Sequence, residues 1–216
     1  MLYVFDVLLI IVLFALFGFL HSYLASEKVK QSFKKAFGKQ IAFYRLGYNL
    51  FATASLYIIY ELSPKPYIRI YDLPNPYDLI ILIPQFLALA GLFWVSQYVC
   101  VKEFLGLSQI KRFFAGNYNS ELDEDLTLTI GGPYKYLRHP VYFLLIMFLI
   151  FRPTMDLFYL TFLLCIIAYF YIGAYLEEKK MMKRFGKRYI KYKASVPMIF
   201  PVNFLKPYKP DNLSEA

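Results

Sequence analysis

The chain is poor in the residues that staple small folds or bind metals. It has two cysteines, Cys100 and Cys165, and two histidines, His21 and His139, in 216 residues. Both cysteines fall inside apolar runs, so neither a disulfide framework nor a thiolate metal cluster is expected. The histidines stand far apart, which leaves a zinc or di-iron centre short of ligands, and no metal is expected. Charge is also scarce: 18% of residues are charged, with 15 Asp and Glu against 24 Lys and Arg. No internal repeat and no charged midplane pathway appear, which argues against a transporter.

What the chain does have is apolar and aromatic. Hydrophobic residues make up 59% and aromatic residues 20%, and the mean hydropathy of +0.45 is far above that of a soluble domain. An integral membrane protein is expected, with membrane lipids as partners. The net charge of +9 is then read by its distribution and not as a nucleic-acid footprint.

Apolar runs place the spans. The first, about Leu2 to Leu24, exceeds the roughly 20 residues that cross a ~30 Å hydrocarbon core. It has no basic leader and is too long for a signal peptide, so it reads as a retained helix. A basic loop with Lys28, Lys30, Lys34, Lys35 and Lys39 follows, then a second run from about Ile41 to Leu62. Pro64, Pro66, Pro74 and Pro76 forbid a regular helix in the next loop. A third run covers about Leu79 to Val101, and a long polar stretch from Lys102 to Arg138 includes the acidic patch Glu121 to Asp125. The remaining apolar segments, Pro140 to Phe151 and about Met155 to Leu176, imply a helical hairpin.

Nearly all lysines and arginines fall in the loop after the first span, the loop before the fourth and the tail, leaving Lys65, Arg69 and Arg152 for the other side. The amino terminus is therefore expected outside and the tail in the cytoplasm. The expected fold is all-α: a single domain over 1–216, with about five transmembrane helices, a cytoplasmic cofactor pocket and an interfacial C-terminal helix. Its parts are three spans in 1–101, a cytoplasmic loop in 102–138, the hairpin in 139–176 and the tail in 177–216.

Two features point to a site. Pro140 to Phe151 would give a helix of roughly 18 Å, well short of the hydrocarbon thickness. If it begins at Pro140, the preceding GGPYKYLRH segment would wall a pocket; if it begins near Tyr134, it simply spans. The second feature is the pair Glu177 and Glu178 at the end of the last apolar run, costly there unless solvated or paired. Beyond them KKMMKRFGKRYIKYK carries Met181, Met182, Phe185, Tyr189 and Tyr192 at helical spacing, the pattern of an amphipathic helix on an anionic leaflet.

The segment Gly131 to Tyr142, GGPYKYLRHPVY, joins these features. Gly131 and Gly132 free the backbone, Pro133 stiffens it, and Tyr134, Tyr136 and Tyr142 offer flat amphipathic surfaces. Arg138 and His139 precede Pro140, a residue favoured at the first turn of a helix. A helix N-terminus favours a bound anion, a carboxylate suits an ammonium, and tyrosines suit a flat ring. A zwitterion such as S-adenosylmethionine would match this set, as would a plain basic and aromatic interfacial cap.

These motifs resemble the integral membrane methyltransferases related to isoprenylcysteine carboxyl methyltransferase, marked by RHP-x-Y and, after a helical hairpin, EE. Here those are Arg138, His139, Pro140 and Tyr142, then Glu177 and Glu178. The resemblance extends to a bacterial branch with methanethiol S-methyltransferase and NnrU-like proteins, through HSYLAS, FYRLGYN, FLGLSQ, YIGAYLEE and FGKRYIKYKASVPMIFP. It implies a prokaryotic plasma-membrane enzyme using S-adenosylmethionine, with S-adenosylhomocysteine as product and a small or lipophilic acceptor. Gly132, Pro133, Tyr134, Tyr136, Arg138, His139, Pro140, Tyr142, Glu177 and Glu178 would hold the cofactor. His21 and Asn49 would line the acceptor side, with packing roles as the alternative. Where many relatives have small residues after the tyrosine, this chain has Phe143 and Leu144, which bears on acceptor size.

Methyl transfer from a sulfonium is an in-line displacement that depends on alignment, worth ~7 to 11 kcal/mol in favourable cases. A thiol with a pKa near about 8.5 must react as thiolate, so a nearby cation would assist, and Arg138 is the candidate, with Glu178 as its catalytic partner. Arg138 could equally hold a carboxylate acceptor. The alternatives are carboxyl methylation of a prenylcysteine-like lipid and a non-catalytic lipid- or partner-binding protein.

Overall fold

The computed structural model describes residues 2–119, 128–201 and 207–208; the acidic patch Glu121 to Asp125 lies outside them. In chain order the helices are α1 (Leu2–Leu24), α2 (Glu27–Phe37), α3 (Tyr44–Leu62), α4 (Tyr77–Ile80), α5 (Leu82–Ser96), α6 (Val101–Leu105), α7 (Leu107–Phe114), α8 (Pro140–Ile150) and α9 (Leu157–Ser195). Tight 3-10 turns cover Gly38–Phe43 and Gly132–Lys135, and two strands, β1 (Arg69–Asp72) and β2 (Thr154–Asp156), pair antiparallel. The fold is thus mostly helical, as expected, with one small two-stranded ribbon that the expectation did not include. Strands of three and four residues are too short for an alternating pattern to declare itself.

Among the described residues, three helical stretches are long and apolar enough to cross a membrane: Tyr3–Leu24, Tyr77–Ser96 and Leu157–Ser195. The helix α3 has 19 residues but carries Arg45, Asn49 and Glu61, and α8 is a shorter apolar helix.

The chain divides into two compact units. The first comprises 1–68, 99–126 and 157–162. Its apolar centre is aromatic: Phe14 of α1 meets Phe162 edge-on at 5.3 Å, and Tyr60 of α3 meets Phe158 and Phe162 at 5.3 and 5.5 Å. Such edge-to-face pairs add to the burial of the rings themselves. After α1 the chain turns through Ala25, and Ser26 caps α2 by accepting from the Val29 amide. Gly38, at φ +58, ends that helix.

Within the same unit the motif FYRLGYN of α3 grips FLGLSQ, which Gly106 splits between α6 and α7. Arg45 Nε and Asn49 Nδ2 both donate to the Phe104 carbonyl, at 3.0 and 2.9 Å. Gly106 sits at φ +88, and a Cβ there would stand 2.7 Å from the Leu46 nitrogen, so glycine is required. Glu103 and Arg112 then tie α6 to α7 through two contacts of 2.5 and 3.2 Å.

The second unit comprises 69–98, 127–156 and 163–216. Its α5 and α8 lie together closely enough that a Cβ on Gly91 would meet Leu144 Cδ2 at 2.7 Å, and Gln85 Nε2 donates to the Phe148 carbonyl at 2.9 Å. Of the two starts open for the short helix, Pro140 is the observed one, preceded by non-helical backbone at His139. The last helix does not stop near Leu176. It runs on through Glu177 and Glu178 until Gly186, at φ +53 and ψ −131, turns its path. Beyond the turn, Tyr189, Tyr192 and Val196 are buried against Leu128, Ile130, Met181, Met182, Phe185 and Tyr208. The apolar face expected to lie on a leaflet is thus covered by the protein itself.

Candidate functional site

Glu178 is the centre of the second unit's polar cluster. Its side chain is 2% exposed, with Arg138 Nε 2.8 Å and His139 Nε2 3.4 Å from Oε1 and Lys193 Nζ 3.0 Å from Oε2. An isolated buried carboxylate would cost several kcal/mol, so burial at this depth requires such partners. Arg138 is itself 8% exposed and also donates from Nη1 to the Lys193 carbonyl at 2.7 Å. The contacts of Arg138 Nε and His139 Nε2 with Glu178 are ion-pair distances without hydrogen-bond alignment, which leaves these buried nitrogens with unspent donor or acceptor capacity.

Glu177 differs sharply. Consecutive helical residues lie about 100° apart around the axis, so the neighbouring carboxylate points elsewhere. It is 49% exposed, with Oε2 3.7 Å from His139 Nδ1 and 3.5 Å from the Tyr142 hydroxyl. Beside it the rings of His139, Tyr142 and Phe170 stack in parallel, at 5.3 and 4.8 Å between centroids and 4° and 5° between planes. Gly173 passes the Tyr142 hydroxyl, where a Cβ would stand 3.9 Å away.

The loop before α8 is held in place by the tail. Amides of Arg138 and His139 donate to the carbonyls of Pro197 and Met198, both at 3.0 Å, and the Tyr208 amide donates to Lys135. The Tyr192 hydroxyl donates to the Tyr134 carbonyl at 2.6 Å. Gly132 adopts φ +55 with the Tyr98 ring 2.3 Å from where a Cβ would be, so no other residue fits there. Pro133 and Pro140 are buried, while Tyr134, Tyr136 and Tyr142 are half-buried. Burial, reinforced by the charge of Glu177, pushes the Tyr134 phenol up to about 12.

Gly132, Pro133, Tyr134, Tyr136, Arg138, His139, Pro140, Tyr142, Glu177 and Glu178 therefore all belong to the second unit, and Arg138, His139, Tyr142 and both glutamates converge. His21 and Asn49 belong to the first. His21 meets the Tyr48 hydroxyl, 2.5 Å from Nε2, and Asn49 is engaged with the Phe104 carbonyl. Phe143 and Leu144 are occupied in packing, against Phe200 and Gly91. Sequence reasoning missed Lys193, Phe170 and Tyr98. The available signal was Gly186, a glycine within a helical pattern, which marks a turn that can bring Lys193 back onto Glu178.

The described residues thus form a mostly helical protein with three apolar stretches long enough to cross a membrane and a buried arginine–glutamate–lysine cluster where a short helix begins. Neither a family model nor a solved structure matches it. The chain is 30% identical to the methanethiol S-methyltransferase of Crocosphaera subtropica, over 88% of its own length and 72% of that protein. It is 28% identical to methanethiol S-methyltransferase 1 of Bradyrhizobium diazoefficiens, over 90% of the chain and 67% of the relative. Against the methanethiol S-methyltransferase of Pseudomonas deceptionensis it is also 28% identical, over 91% and 71%. The chain belongs to the methanethiol S-methyltransferase family, the branch to which its motifs pointed.

Proposed function

We propose that the protein is an integral membrane methyltransferase that moves a methyl group from S-adenosylmethionine to a small or lipophilic thiol. The observation that carries this reading is the asymmetry of the glutamate pair: Glu178 is surrounded by cations, while Glu177 stays open beside a ring stack and a helix start. The donor set suits a zwitterionic cofactor with a flat ring. Glu177 would receive its ammonium, the positive end of α8 and the unspent nitrogens of Arg138 and His139 its carboxylate, and the aromatic faces its ring. When bound, S-adenosylmethionine supplies an electrophilic methyl group on a sulfonium.

The chain's own contribution is positioning. Glu178 fixes Arg138 and Lys193, and these fix the loop and the tail; Arg138 acts through that lattice more than as an exposed cation. Lys193, 35% exposed, is the more accessible cation to favour a thiolate over a thiol. The thiol's proton leaves to solvent, its sulfur takes the methyl group, and S-adenosylhomocysteine is the other product. His21 and Asn49 are proposed for the acceptor side through the polar end of the first unit. The positive-inside pattern supports five spans, with α3 and α8 added to the three membrane-length stretches, the amino terminus outside and the site cytoplasmic.

The test is incubation of purified protein with labelled S-adenosylmethionine and, separately, methanethiol, a prenylcysteine analogue and phosphatidylethanolamine. Labelled dimethyl sulfide is expected. Label only in a methyl ester would move the assignment to carboxyl transfer, and no label in any product together with no cofactor binding would end the enzymatic reading.

A further inference from the structure

The first unit holds an open apolar recess of about 280 Å³ between the end of α1, α2 and the start of α3. Leu24, Phe33, Phe43, Tyr44, Gly47 and Phe51 line it. None of the residues proposed for the cofactor lines this space. Tyr48 also lines it; its hydroxyl is directed at His21, and the Tyr44 hydroxyl donates to the Leu24 carbonyl at 2.6 Å.

The helix beside the recess has two characters. Val29, Phe33 and Phe37 recur every four residues on one face of α2, and Phe33 touches both Phe37 and Tyr44, at 4.5 and 5.1 Å between ring centroids. Phe37 is 53% exposed despite its size. Around the rest of the segment stand Lys28, Lys30, Lys34, Lys35 and Lys39, with Glu27 as the single acid between Ala25 and Phe43. Lys30 is buried, whereas Lys28, Lys35 and Lys39 are exposed. This helix starts three residues after the end of a helix long enough to cross a membrane, which puts α2 at the headgroup level once α1 spans. An apolar face with a lysine-rich rim at that level is built for an amphiphile whose head is negative.

We propose that this recess is a binding site for an anionic phospholipid, with one acyl chain between α2 and α3 and the phosphate held by the lysines of α2. A one-carbon thiol is too small to fill such a space. A zwitterionic lipid would satisfy the recess but leave the excess of lysines unmatched. The proposal is independent of the cofactor site, since every residue in it lies in the first unit and every cofactor-site residue in the second.

The experiment uses the full chain in detergent, exposed to phosphatidylglycerol or phosphatidylcholine of identical acyl chains, with lipid retention read by native mass spectrometry. Retention of phosphatidylglycerol about tenfold stronger than of phosphatidylcholine is expected. Gly47→Leu fills the recess at a position where a Cβ meets nothing within 4 Å, and should remove retention of both lipids with helix content unchanged. The combined Lys28→Gln, Lys34→Gln and Lys35→Gln variant should keep retention but equalise the two lipids. Equal retention by the unmodified chain, retention that survives Gly47→Leu, or displacement of the lipid by methanethiol would each overturn the assignment.

Discussion

Both units join a motif from one helix to a motif far along the chain, but they spend their polar groups differently. In the first, Arg45 and Asn49 donate to a backbone carbonyl, and Glu103 and Arg112 satisfy each other. In the second, Arg138, Lys193 and His139 gather around one carboxylate while a second carboxylate beside it stays open. Donors that end on main-chain carbonyls describe a clamp. Side chains that converge with capacity to spare describe a site, and motif strength alone does not distinguish the two.

The comparison can be broken by substitution, and the greatest effect is expected at Glu178. Glu178→Ala leaves Arg138 buried without its counter-ion, which should destabilise by about 3 to 5 kcal/mol. Thermal unfolding of the purified protein measures it, and a loss no larger than that of Glu103→Ala would erase the contrast between the clusters. Gly132→Ala follows, because the added methyl meets the Tyr98 ring and the positive φ disfavours any side chain. A loss of roughly 1 to 3 kcal/mol is expected in the same measurement.

Glu177→Gln should separate binding from stability. Removal of an exposed charge should change unfolding by less than about 0.5 kcal/mol, while a lost charge-assisted contact should weaken S-adenosylmethionine by roughly ten- to a hundredfold. Calorimetric titration decides between that outcome and an unchanged affinity, which would remove Glu177 from the cofactor site. On the clamp side, Asn49→Ala should cost about 1 kcal/mol of stability and leave cofactor affinity alone, since Arg45 still reaches the Phe104 carbonyl. Reduced cofactor affinity in that variant would mean that the clamp also serves the site.

The last effect concerns pH. Tyr134 keeps its proton to about pH 12 when folded, against 10.0 otherwise. Below pH 10 both states hold the proton and stability does not vary on its account; above it the unfolded state loses the proton first, so stability falls as pH rises. Tyr134→Phe should flatten that decline by about 2 kcal/mol between pH 10 and pH 12 in denaturant titrations.

Much of this architecture is legible in the sequence because hydropathy is additive along a helix. The first apolar run matches α1, and Pro140 marks the start of α8 because a proline suits a helix start and suits few places inside one. The roles of the two glutamates are less legible. Their spacing shows that they face different ways, but only the path of residues 186–198 determines which one becomes buried. The basic tail misleads for a related reason. Tyr189, Tyr192 and Val196 form the same periodic stripe whether it meets lipid or protein, and the stripe meets Met181, Met182 and Phe185 of its own chain. Asn49 shows the converse: the carbonyl that engages it lies in α6, 55 positions along the chain, where no local pattern in α3 points.

Pairing of the RHP loop with the tail also orders events during synthesis. Arg138 waits for a carbonyl 55 residues downstream, and its amide and that of His139 wait for Pro197 and Met198. The candidate site stays open until those last residues have been made. A chain truncated before Lys193 would therefore carry both motifs yet lack the lysine and the carbonyls that close around Glu178 and the loop.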